Sequence, residues 1–84
     1  MKLNEQVAAV ASKQDLSDFV GALRKDLESQ GGDWENPTLE RFLEAMQAWI
    51  EDSDGYYLNA GQFVPVEPTW RTFAEILIAS KIYE

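Results

Sequence analysis

Leu39, Phe42, Leu43, Met46, Trp49 and Ile50 recur at spacings of three and four residues. At about 100° per residue they gather into a stripe roughly 120° wide, the width of one buried helix face. Glu40, Glu44 and Glu51 fall within about 40° of one another and well clear of that stripe. The pattern predicts an amphipathic helix that turns Phe42, Met46, Ile50 and their neighbours inward and leaves its glutamates to water. Asn36 reads as the N-cap, with Pro37 at the first helical position, where its missing N–H costs nothing. At the other end Asp52-Ser53-Asp54-Gly55 reads as a helix stop and turn, with Gly55 supplying a positive φ.

Two further helices follow from the same reasoning. Ser12-Lys13-Gln14-Asp15 resembles a capping box with Asp in place of Glu, ahead of Leu16, Phe19, Val20, Leu23 and Leu27 at helical spacing. It predicts a helix over 13–29, closed at Gly31-Gly32 by left-handed backbone angles. Pro68-Thr69 opens a helix over 69–83 whose apolar residues surround most of its axis, leaving Arg71, Thr72 and Glu75 as its polar strip. Such a helix belongs at the centre of a bundle. Residues 3–11 predict a short N-terminal helix presenting Leu3, Val7 and Val10. The connection over 53–68, with Gly55, Gly61, Pro65 and Pro68, is predicted irregular, with a small hairpin open to Tyr57-Leu58 and Phe63-Val64. The fold class is therefore all-α: one helical domain over 1–84, a small three- to four-helix bundle with one long irregular loop before the last helix.

Eighty-four residues bury only about 60–65% of the surface their unfolded chain exposes, so nearly every Trp and Phe is expected in the core. Trp49 and Trp70 lie in phase with the buried stripes; Trp34, Tyr56 and Tyr57 flank the ends of the second long helix and fit a covering or a half-exposed role equally. The chain has no cysteine and no histidine, which removes disulfides, thiolate zinc sites, imidazole ligands and every His-assisted nucleophile. No cofactor is implied. The N-terminal residues carry no apolar leader-like run, and no apolar stretch approaches the about 20 residues of a membrane span; a cytoplasmic protein is expected. A net charge of −8 repels phosphate backbones and anionic headgroups, so neither nucleic acid nor membrane is an expected partner.

The charge is unevenly placed. Residues 31–60 hold seven acids against the lone Arg41, a net of −6. A solvated face explains this, and so does a docking surface for a basic protein; Glu40 and Glu44, like charges at i,i+4, are not a pairing that stability alone selects. The candidate partner-binding residues are Glu40, Glu44, Glu51, Asp52, Asp54, Tyr56 and Tyr57. A calcium loop over 51–59 is the competing reading, but aligning Gly55 with the sixth loop position puts Ile50 at the first ligand and Gly61 at the twelfth, where a bidentate acid is needed. No carboxylate pair is marked as catalytic and no Ser has a base beside it.

Trp34-Glu35-Asn36, Thr38-Leu39-Glu40, Phe42-Leu43-Glu44-Ala45-Met46, Trp49-Ile50-Glu51-Asp52, Gly55-Tyr56-Tyr57, Trp70 and the closing Ala74 to Glu84 together resemble a family of small bacterial proteins of unknown function, over residues 16–84. The resemblance implies a bacterial origin and brings no catalytic residue. The expected function is a non-enzymatic acidic protein-interaction module, immunity-like by analogy, existing as monomer or homodimer; the alternative is a small-ligand or divalent-cation binder at the 51–59 turn.

Overall fold

The computed structural model of the chain describes residues 2–83. It is all-helical: α1 Leu3–Ala8, α2 Lys13–Gln30, a 3₁₀ turn Gly31–Asp33, α3 Leu39–Asn59 and α4 Trp70–Ile82. No strand occurs among the described residues, and the 57–64 segment does not form a hairpin. α4 packs against each of the other three helices, while the backbones of α2 and α3 do not meet. The nearly all-round apolar character of α4 thus finds its expected use at the centre of the bundle.

Contacts at the two ends fix the directions. Asp26 of α2 meets Lys81 of α4, and Val10 and Ala11, just ahead of α2, share a hollow with Trp70 and Phe73 at the start of α4; α2 therefore runs parallel to α4. Asn36, ahead of α3, reaches Ser80 and Tyr83, whereas Tyr57, late in α3, reaches Glu75; α3 runs antiparallel to α4. The core gathers Val7 and Val10, Phe19 and Leu23 of α2, Trp34 and Ala74 of α4. Phe19 is fully buried.

The caps differ instructively from the sequence expectation. Ser12 does cap α2, accepting from Asp15 N at 3.1 Å, but Asp15 reaches one residue further back than a capping box requires, to Ala11 N. α2 ends where expected, at Gly31, but with φ −57°, because the chain continues into a 3₁₀ turn instead of reversing through the left-handed region. Thr69 opens α4 and exchanges hydrogen bonds with Thr72.

α3 starts two residues later and ends seven residues later than Asn36 and Asp52 suggest. Its N-cap is Thr38, whose Oγ1 accepts from Arg41 N at 3.2 Å. Asn36 lies outside the helix, its side chain taken up by carbonyls at the end of α4. At the far end the helix runs straight through Asp52-Ser53-Asp54-Gly55. A mid-helix glycine costs only about 1 kcal/mol, and the turn beyond it places Tyr57 in the interior, edge-on to Trp49 at 6.1 Å. The stop comes at Gly61, the described residue with positive φ (72°): Gln62 N bonds Tyr57 O and Gly61 N bonds Leu58 O, the paired C-terminal bonds of a Schellman motif. The irregular loop shrinks to 60–69, and Phe63 and Val66 in it are almost wholly exposed. The expectation that nearly every Trp and Phe is core therefore fails at Phe63, Phe73 and Trp70.

Candidate functional site

α3 buries a different face from the one its apolar stripe defines. Ala45, Trp49 and Tyr57 are buried, with Phe42 and Met46 half-buried, but Leu39 is 73% exposed, Leu43 50% and Ile50 48%. The inward direction of the helix is thus turned by roughly 60° from the centre of its apolar stripe at 100° per residue. The cause is α4, whose end passes on the side of Ala45, Ala48 and Trp49, which share hollows with Ala79 and Tyr83, and leaves the bulky flank toward α2 uncovered. The expectation that Leu39, Leu43 and Ile50 lie inside is overturned; for Phe42, Met46 and Trp49 it stands.

Because α2 and α3 stay apart, the Leu39 end of that flank opens onto a hollow of about 310 Å³, and Leu43 and Ile50 continue the same side of α3 beyond it. Val20, Leu27, Leu39, Phe42 and Leu77 line it, with Arg24 at its rim. Phe73 lies one helical turn ahead of Leu77 on the same side of α4 and is 44% exposed. The floor of the hollow therefore continues toward the start of α4 as an apolar strip.

Beside it rise the acids. Glu40, Glu44, Glu51 and Asp54 are exposed, and among the described residues no cation pairs with them, the one ion pair being Lys81 with Asp26. Glu40 sits in the first turn of α3, where a negative charge suits the helix dipole. The remaining three candidates divide. Tyr56 is half-exposed and packs on Trp49 at 5.8 Å. Asp52 is exposed but accepts the Tyr83 hydroxyl proton, which holds the Tyr83 phenol pKa above its ordinary value. Tyr57 does not belong to any surface patch. It is 4% exposed, and its hydroxyl donates to Glu75 at 2.9 Å; burial first, then that carboxylate, pushes its pKa far up.

On the opposite side of the α3–α4 seam lies a second, more polar hollow of about 580 Å³. Trp49, Tyr56, Arg71, Glu75 and Tyr83 contribute to it, with Asn4 of α1 at its edge. The 51–59 segment that suggested a cation loop is helical, so its carboxylates point outward around the axis and converge on no common point. No group of three or more acidic side chains among the described residues is placed to hold a metal ion.

Two polar clusters, one part-buried and one buried, were not legible in the sequence. Trp34 Nε1 donates to Asp26 Oδ2 at 2.7 Å, Lys81 Nζ reaches the same oxygen at 3.0 Å, and the Lys81 ammonium lies 5.5 Å from the centre of the Trp34 ring. The indole hydrogen bond, then that from Lys81, lowers the Asp26 pKa. Trp34 also stacks on Phe42 at 6.1 Å, which settles its role as covering the core. Asn36 is buried, and its Nδ2 donates to Ser80 O at 3.1 Å and to Tyr83 O at 2.7 Å, while Lys81 O accepts from its backbone N–H. These are carbonyls at the end of α4 that would otherwise lack partners. An asparagine before a proline signals a helix start far more often than a plug for a distant helix end, so only the three-dimensional structure exposes this role.

Among the described residues no helix is long and apolar enough to cross a membrane. No curated protein and no solved structure matches the chain. A family model matches residues 12–84, which begins at the Ser12 cap of α2 and so takes in every helix except α1; the chain belongs to a family of unknown function, DUF7660.

Proposed function

We propose that this chain is a non-enzymatic protein-interaction module whose acidic α3 face meets a basic protein partner. One observation carries the reading: Glu40, Glu44, Glu51 and Asp54 are exposed on one helix whose single cation, Arg41, forms no ion pair with them, so the net field of the face is negative and attracts positive charge. Leu43 and Ile50, exposed beside them, supply the apolar contact that a purely electrostatic encounter lacks. Tyr56 borders the acids at the far end of the helix, Asp52 contributes charge while tethered to Tyr83, and Tyr57 supports the helix from within. A toxin neutralised in an immunity-like pairing is the narrower form of the same idea, and a bacterial cytoplasm is where it would operate. The absence of histidine and cysteine agrees with a binding role.

The test is affinity capture with wild-type chain and with a Glu40→Lys, Glu44→Lys, Glu51→Lys variant, followed by binding measurements on the captured partner across a salt series. The expected result is a partner of high pI, lost with the variant, whose association rate falls steeply with salt. A partner that binds both baits equally, or binds without regard to salt, overturns the proposal.

A small-ligand reading is favoured by a different observation, the hollow that brings Arg71 together with the aromatic faces of Trp49 and Tyr56. It moves the ligand from the 51–59 segment to this hollow. A small organic anion that raises the melting temperature of the wild type but not of an Arg71→Ala variant supports it.

A further inference from the structure

We propose that the apolar groove between α2 and α3 is covered by the same groove of a second copy of this chain, in a two-fold dimer whose axis runs along the groove. This goes beyond the partner reading and needs only the purified protein.

The first argument is area. Leu39, Leu43 and Ile50 from α3, Val20 and Leu27 from α2 and Phe73 from α4 are each between about a third and three quarters exposed. Together they offer on the order of 600 Å² of apolar surface, at the upper end for a monomer and close to the roughly 800 Å² per partner of a stable interface. The exposure follows from the fold: α4 lies on the Ala45 and Ala48 side of α3, and among the described residues no fourth long helix fills the slot between α2 and α3.

The second argument is charge, and it selects the occupant. The two rims of the groove differ in charge, that of α3 acidic and that of α2 carrying both cations with Glu28 one turn beyond Arg24. Arg24 and Lys13 stand on the groove side of α2, at about the same angular position on the helix. Glu40 and Glu51 stand on the corresponding edge of α3. The helices are antiparallel, so Arg24, which shares a hollow with Leu39, lies at the level of Glu40, and Lys13 lies toward the level of Glu51.

A two-fold axis along the groove keeps each residue at its level and exchanges the rims. Arg24 of each copy then faces Glu40 of the other, and Lys13 faces Glu51. An axis across the groove would instead set the acidic rim against itself, which like-charge repulsion disfavours. A foreign helix needs a matched pair of charged edges that a second copy already carries. The dimer covers Glu40, Glu51, Leu43 and Ile50, so self-pairing and a basic partner compete for this side of α3, while Glu44, Asp52 and Tyr56 stay at or outside its edge.

Sedimentation velocity of the full chain over a micromolar to millimolar series tests the proposal, with circular dichroism to confirm folding of each variant. The wild type is expected to dimerise. Leu43→Glu and Ile50→Glu, both at surface positions of the monomer, are expected to stay folded and weaken the dimer at least tenfold. Arg24→Glu and Glu40→Arg alone are each expected to weaken it, and the double variant R24E/E40R to return it to within about threefold of the wild type.

A wild type that remains monomeric throughout overturns the proposal and assigns the groove to another occupant. So does a dimer indifferent to Leu43→Glu and Ile50→Glu, or a double variant no tighter than either single change.

Discussion

The side-chain amide of Asn36 donates to the carbonyl of Tyr83 at 2.7 Å across 47 positions of sequence. This bond, with its companion to Ser80 O, closes the C-terminal end of α4 from the loop that launches α3. Asn36 therefore acts as a donor. Asn36→Asp separates this role from helix capping, since Asp serves as well as Asn at an N-cap but cannot donate and would set a negative charge against the negative end of α4. Asn36→Ala and Asn36→Asp are both expected to destabilise by about 1–3 kcal/mol, with Asp at least as damaging as Ala. Denaturant unfolding of the two variants checks this; a neutral Asp variant would return Asn36 to the N-cap of α3.

Gly55 and Gly61 are expected to respond in opposite directions to alanine. Gly55 lies inside α3, with open space where a Cβ would stand, so Gly55→Ala should stabilise by up to about 1 kcal/mol. Gly61 holds φ at 72°, and Gly61→Ala should cost about 1 kcal/mol or more through strain. Paired thermal melts read the contrast.

Asp26 links acid stability to the Trp34 cluster. Hydrogen bonds from the indole and from Lys81 hold its folded pKa below the ordinary carboxylate value. The stabilisation is therefore present above the unfolded carboxyl pKa, near about 4, and is lost as pH falls through the lower, folded value. The difference in stability between wild type and Asp26→Asn should shrink as pH drops below about 4. A difference that stays constant from neutral pH to the acid limit would contradict it.

Tyr57 does the reverse at alkaline pH. Burial, then Glu75, raises its pKa well above that of a free phenol. The stabilisation is fully present below the unfolded phenol pKa of about 10 and is lost as pH rises toward the folded value, because the unfolded state gives up its proton first. Tyrosinate absorbance should show a delayed component beyond the raised Tyr83 phenol that persists until the protein unfolds, and Tyr57→Phe should remove that latest part.

The sequence carries most of the fold in local signals. α2 and α4 are announced by Ser12 and Thr69 and by apolar periodicity, and α4 is marked as central because Ala74, Ile76, Leu77, Ile78 and Ala79 leave it only the narrow polar strip of Arg71, Thr72 and Glu75. The end of α3 was misread because Asp-Ser-Asp-Gly satisfies the local rules for a stop, while the competing pull of Tyr57 packing on Trp49 and α4 is long-range. Glu40, Glu44 and Glu51 are exposed where periodicity places them, whereas Asp52 and Asp54, read as a turn, stand on the helix that runs through them. The groove was not legible. A stripe of Leu39, Leu43, Met46 and Ile50 states how much apolar surface a helix carries, not which part of it a neighbour covers. That choice depends on Ala45 and Ala48 letting α4 close on one side only, a relation between two helices that no single periodicity contains.

Both the partner surface and the dimer rest on an apolar stripe of α3 that its own chain leaves half uncovered. Methyl NMR with a soluble paramagnetic agent, on protein dilute enough to be monomeric, measures this directly for Leu43 and Ile50 against Val7 and Leu23. Strong broadening of Leu43 and Ile50 with Val7 and Leu23 protected is the expected result. Protection of all four in the monomer would mean that the chain covers the stripe itself, and both the ridge-side contact and the groove pairing would have no surface to act on.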